Sequence, residues 1–201
     1  MANVSAQDRR RQFVAAAIEV IAEEGVAKAT TRRIAEKAHA PAASIHYCFD
    51  SKEELFQAVL ESSSYEGLQF AGRDIRPQMG LGAAVEAILR GYLEWMLHDR
   101  ANQQAQYELT FWALRTPSSQ HLPQRNYRRY IDGTAQLLRE ASRPGEESVD
   151  IEFLARHLIA VLDGHTLQWI TLDDDAMVRM VDKAIAEIQA SLPGVGATAA
   201  L

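Results

Sequence analysis

The sequence contains one cysteine, Cys48, among 201 residues. An internal disulfide is therefore excluded, and a lone thiol fits a reducing compartment. Such a thiol more often packs than senses redox state. No run approaches the roughly 18 to 20 uninterrupted apolar residues that a membrane span needs. The N-terminal arginines, Arg9 to Arg11, precede FVAAAIEVIAEE, where Glu19, Glu23 and Glu24 interrupt the apolar stretch at helical spacing. That pattern is an amphipathic helix and not a signal peptide, so a cytoplasmic protein without a membrane partner is expected. Strand-like alternation is missing, and so are internal repeats and low-complexity tracts. There is no glycine-rich phosphate loop, no nucleophile elbow and no paired-cysteine metal motif. An enzyme, a cofactor and a metal are accordingly not expected. His157 and His165 with Asp163 are the nearest approach to a ligand set, but metal pairs more often use a four-residue spacing.

What is present is helix. The expected class is all-α with about nine helices. Phe13, Ala17, Val20 and Ile21 recur at helical spacing in a first helix from Asp8 to Glu24, which Gly25 stops. Thr30 is a good N-cap for a second helix, Thr31 to Ala38. A short turn at His39 and Ala40 leads to a third, Pro41 to Cys48. Ser51 and Glu54 form a capping box for a long fourth helix, Lys52 to Phe70. The stretch GRDIRPQMGLG, Gly72 to Gly82, is the clearest break. Five further helices are expected over 81–98, 102–115, 122–141, 150–171 and 175–191. The tail PGVGATAAL is expected to fray.

Charge is unevenly spread. The net charge is −6, yet residues 1–52 carry 8 basic and 6 acidic side chains while the remainder carries 13 and 21. A mildly basic head on an acidic body suits a protein that offers only its head to a polyanion. Two helices joined by a turn of three or four residues form a helix-turn-helix, whose second helix enters a major groove. Ile34, Ala35, Ala38, Ile45 and Phe49 can face the first helix. Thr31 and Arg32 open the second helix, where free N–H groups and the helix dipole attract anions. Tyr47 offers a hydroxyl near the end of the third. Lys52 opposes the dipole at the start of the fourth, a cost that a nearby anion would offset.

At these residues the chain resembles the tetracycline-repressor (TetR) family of bacterial transcriptional regulators. The resemblance rests on TRRIAEKAHAPAASIHYCFDSKEEL, Thr31 to Leu55, and on the preceding Glu23-Glu24-Gly25. It implies a helix-turn-helix domain over residues 1–55 and a ligand-binding and dimerisation domain over 56–201. It also implies a homodimer that binds a palindromic operator in double-stranded DNA and is released by a small effector. Thr31 and Arg32 would bind backbone phosphate, Ala42, Ala43, Ser44 and His46 would face the groove, and Tyr47 and Lys52 would clamp phosphate. Four departures stand out, one of them His46 in place of a usual tyrosine. In the others His39 replaces a turn glycine, Pro41 a capping serine and Cys48 a usual histidine. Ala42 and Ala43 cannot hydrogen-bond to bases, so only Ser44 and His46 can read donors and acceptors directly.

Two stripes follow in the body. Leu154, Leu158, Val161 and Leu162 form one, and Met177, Val181, Ala184 and Ile188 the other. The resemblance implies that these last two helices pair with the same two of a second subunit, and Gly164 would permit a close approach. The other reading is that both stripes face the chain's own core. Aromatic residues with polar tips and their neighbours can line an effector cavity. The candidates are Tyr92, Trp95, Tyr107, Phe111, Tyr127, Thr134, His165 and Trp169, and plain core is the alternative for each. A helical dimer that binds a protein partner instead of DNA is also open at this point.

Overall fold

A computed structural model describes residues 5–193. The expected fraying tail beyond Pro193 lies outside the described residues. Nine α-helices and one 3-10 turn account for the ordered backbone there, with no strand among the described residues. They are α1 (Ala6–Glu24), α2 (Thr31–Lys37), α3 (Ala42–Ile45), α4 (Lys52–Gly72), α5 (Leu81–His98), α6 (Arg100–Arg115), α7 (His121–Ala141), α8 (Ile151–Leu172) and α9 (Ala176–Ser191).

The helix ends follow from local chemistry. Ser5 Oγ accepts from Asp8 N at 3.1 Å to start α1, and Gly25 at φ 88° ends it. Thr30 Oγ1 accepts from Arg33 N at 3.1 Å to start α2. Ser51 Oγ accepts from Glu54 N at 3.0 Å, while the Glu54 carboxylate takes Asp50 N at 2.7 Å, one residue earlier than a reciprocal capping box requires. Asp150 caps α8 through Phe153 N at 2.9 Å. The third helix is shorter than expected. It is one turn, Ala42–Ile45, and His46 to Cys48 continue it only as i→i+3 turns. Pro41 gives it no side-chain cap, so α3 has little but its packing to hold it.

The chain forms two compact units. The first runs to Ser64 and takes in Asp99–Asn126, so α6 and the start of α7 join the helix-turn-helix. The expected first domain, 1–55, lies wholly inside it. Its core is built by Phe13, Val20 and Ile21 of α1, Ile34 of α2, Ile45 of α3, Leu55 and Phe56 of α4, and Leu109 of α6. The second unit comprises Tyr65–His98 and the chain from Tyr127 onward. Its core combines Ile88, Leu89 and Tyr92 of α5 with Leu138 of α7, Leu158 of α8 and Val181 of α9. Within it Gly91 lets α5 press on α4, since a Cβ there would stand 2.3 Å from Phe70 O.

The residues of the expected dimer stripes face the second unit's own core, the other reading open to them. Leu154, Leu158, Leu162, Met177, Val181, Ala184 and Ile188 are buried in the second unit's own core, and Val161 is half-buried against it. Little of their surface is left for a partner. Helix α8 is apolar on two faces, and the outward one carries Phe153, Ala160, Gly164 and Leu167. Periodicity identifies such faces without saying which one meets the core.

Candidate functional site

Helices α2 and α3 pack on each other within the first unit. Their turn holds His39 at φ 50°, a left-handed histidine standing where glycine is easiest. Ala42, Ala43, His46 and Tyr47 are exposed, and Tyr47 is 91% accessible. An aromatic ring that bare on a short helical turn gains nothing from its own fold. Thr31 is half-buried, and Arg32 is exposed with only a surface ion pair to Glu36 at 3.1 Å. Ser44 Oγ donates to Pro41 O at 2.6 Å, so it meets a base edge as an acceptor.

The remaining charges of the head are partly consumed. Arg33 pairs with Glu24 at 2.6 Å, and Lys37 with Glu23 at 2.8 Å and Glu19 at 3.1 Å. One of the N-terminal arginines is held against the head. Arg10 Nη1 donates to Cys48 O at 2.5 Å and to Glu54 at 2.9 Å, and its guanidinium lies over Phe49. The Asp50 amide, followed by Arg10, holds the Glu54 carboxyl below its ordinary range. Lys52 is half-buried, with its ammonium 4.9 Å from the Phe56 ring and 5.8 Å from Trp112 of α6. Burial pushes its pKa down, so a phosphate partner would restore what the protein withholds.

Helix α6 contributes residues that the sequence reading did not select. It packs along α1. Glu108 Oε1 accepts from Val26 N at 2.6 Å, just past the glycine that ends α1. Along the same helix α6 buries three carboxamides, Asn102, Gln103 and Gln106, together with Ala105, Leu109 and Ala113. That run of amides on an inward face was the signal available in the sequence.

The expected effector residues are divided between the units. Tyr107 and Phe111 stand on α6 in the first unit, and Phe111 is 52% exposed, so it does not line an interior there. Tyr92, Trp95 and Thr134 are buried in the second unit, and the Tyr92 hydroxyl and Thr134 Oγ1 are 3.2 Å apart. The Tyr92, Trp95 and Tyr130 rings meet edge to face or tilted. Burial raises the phenol pKa of Tyr92, and burial followed by Asp163 raises that of Tyr127. Trp169 packs partly buried against the same core. His165 keeps a buried Nδ1 without a protein hydrogen bond. His157 stacks on Phe153 with ring centroids 6.0 Å apart, and no cluster of three or more metal-ligating side chains occurs among the described residues.

Comparison with known proteins fits this arrangement. A family model described as bacterial regulatory proteins, tetR family, matches residues 13–59. A tetracyclin repressor-like C-terminal domain model matches residues 81–191. The HTH-type nicotine-responsive transcriptional repressor HdnoR of Paenarthrobacter nicotinovorans is 31% identical over 172 residues, covering 86% of this chain and 89% of that protein. The regulator TtgR of Pseudomonas putida is 28% identical, covering 84% and 83%. Among solved structures, the multidrug binding protein EbrR complexed with imidazole superposes with a TM-score of 0.64 at 26% identity, covering 94% of this chain and 97% of that one.

Proposed function

The chain belongs to the TetR family of bacterial regulatory proteins, and on that premise we propose that it is a cytoplasmic repressor that binds a palindromic operator as a homodimer. A small, largely apolar or aromatic effector releases it. The observation that carries the reading is the bare α3 turn, with Tyr47 91% accessible beside exposed Ala42, Ala43 and His46, on a head whose apolar side chains are buried. Thr31, Arg32, Tyr47 and Lys52 would hold phosphates, and Ser44 and His46 would touch base edges. With two alanines in the groove, phosphate contacts and DNA shape supply much of the affinity.

The homodimer would form through the outward face of α8 with α9. Phe153 and Leu167 are exposed there, and a Cβ on Gly164 would meet nothing in its own chain. Two heads about 34–36 Å apart, or a multiple of it, then read a palindrome. An effector that prefers a different head separation shifts the population away from the DNA-binding state. A relative whose name specifies nicotine response, and a similar structure solved with imidazole, support a small effector.

Selection of bound sequences from random DNA tests the reading. A recovered palindrome is expected, and Tyr47→Phe with Lys52→Gln should reduce binding to every recovered sequence alike while lowering the salt slope. Recovery of no common site, or full binding by the double variant, refutes it.

A further inference from the structure

Resting on that reading, we infer that Trp112 of α6 is a positioning residue for DNA binding, which together with Phe56 holds the Lys52 ammonium ready for a phosphate at the start of α4. The ammonium lies 4.9 Å from the centre of the Phe56 ring and 5.8 Å from that of Trp112. The rings themselves meet edge to face, with centroids 5.3 Å apart and planes at 87°. One cation is thus shared by two perpendicular rings. Both distances fall inside the roughly 6 Å over which a cation is drawn to an aromatic face.

The two rings differ in how they come to be there. Phe56 stands one turn along α4 from Lys52 and is fully buried in the core of the first unit. Side chains one helical turn apart are neighbours, so that contact follows from spacing within α4 alone. Trp112 comes from a different helix and is only partly buried against the same core. It packs on Phe56 and reaches the ammonium, so the second ring is a contribution of α6 to a residue of the DNA-binding head.

The manner of holding matters as much as the contact. Arg10, Arg33 and Lys37 are each tied to carboxylates, whereas Lys52 forms no ion pair among the described residues, and the neighbouring Glu53 only partly opposes the effect of burial on it. A carboxylate partner takes up a cation's charge, and a phosphate must then compete for it. An aromatic face orients the cation and leaves its charge whole. The flexible four-carbon stem of a lysine otherwise loses its freedom only on meeting DNA. Ordering one such side chain in advance is worth roughly two- to tenfold in affinity.

Fluorescence anisotropy with labelled DNA and the full chain tests this, on a duplex recovered by selection and on a random duplex of equal length. Trp112→Leu should weaken binding to both by roughly two- to tenfold and lower the salt slope by up to about one, since a phosphate contact is indifferent to sequence. In a Lys52→Gln background the same substitution should cost nothing more. A multiply fluorinated tryptophan placed at 112 alone nearly keeps the ring's outline while draining its negative face, and should weaken binding as leucine does. It also serves as the deciding variant if Trp112→Leu fails to fold. Undiminished binding with the fluorinated ring, or an equal loss from Trp112→Leu with and without Lys52, overturns the inference, because Trp112 would then act through packing alone. A native protein that binds neither duplex refutes the DNA-binding reading and takes the inference with it; native binding that the fluorinated ring does not alter refutes the inference alone.

Discussion

Gly91→Ala is expected to destabilise the protein even though alanine is the better helix former. The added Cβ would lie 2.3 Å from Phe70 O, 2.7 Å from Phe70 C and 2.8 Å from Ala71 Cα. These are backbone atoms of α4, so no side chain can rotate out of the way. Ordinary contact begins near 3.4 Å, and α4 and α5 must part by roughly 1 Å to reach it. Overpacking of this kind costs about 3 kcal/mol at the upper end of its usual range. The gain in helix propensity returns about 1 kcal/mol. The net loss of about 2 kcal/mol corresponds to a melting temperature lower by about 4–8 °C for a chain of this size. Circular dichroism melts of the native and variant proteins measure it, with unchanged helix content at low temperature as the check on folding. A melting point within one degree of the native value would show that the two helices are not seated on each other at this glycine.

Two other outcomes are expected. Leu167→Arg places a charge on the exposed face of α8 and should convert a dimer to a monomer in sedimentation velocity; an unaltered mass would move the interface elsewhere. The phenols of Tyr92 and Tyr127 are held neutral by burial, so their folded pKa lies above the ordinary value of 10.0. Their contribution to stability is complete below that value and is lost as pH rises beyond it. Urea midpoints should therefore fall between about pH 10 and 12, less steeply in Tyr92→Phe, and a flat profile would contradict their burial.

Much of this fold was legible because its helix ends are written in side chains. Thr30, Ser51, Asp150 and Gly25 each act where capping rules put them. The length of α3 was not legible, since Ala42-Ala43-Ser44-Ile45 has a sound helical pattern but Pro41 supplies no cap. The groove-facing positions were legible only through the resemblance of Thr31 to Leu55 to known regulators. Which apolar face of α8 meets the chain's own core was not legible, because Leu154, Leu158 and Leu162 form one apolar row while Phe153 and Leu167 form another. Burial depends on neighbours distant in the chain, and periodicity carries no such information. Glu108 was invisible for the same reason, because its partner Val26 lies 82 residues away.

That bond also sets how the head can answer to α6. A donor and acceptor 2.6 Å apart sit at the short end of the hydrogen-bond range. A displacement of about 1 Å would take the pair past useful range and leave the Val26 amide bare at the close of α1. Under the proposed function, motion of α6 would reach the helix-turn-helix through the loss of this bond, and smaller drifts would leave the bond in place.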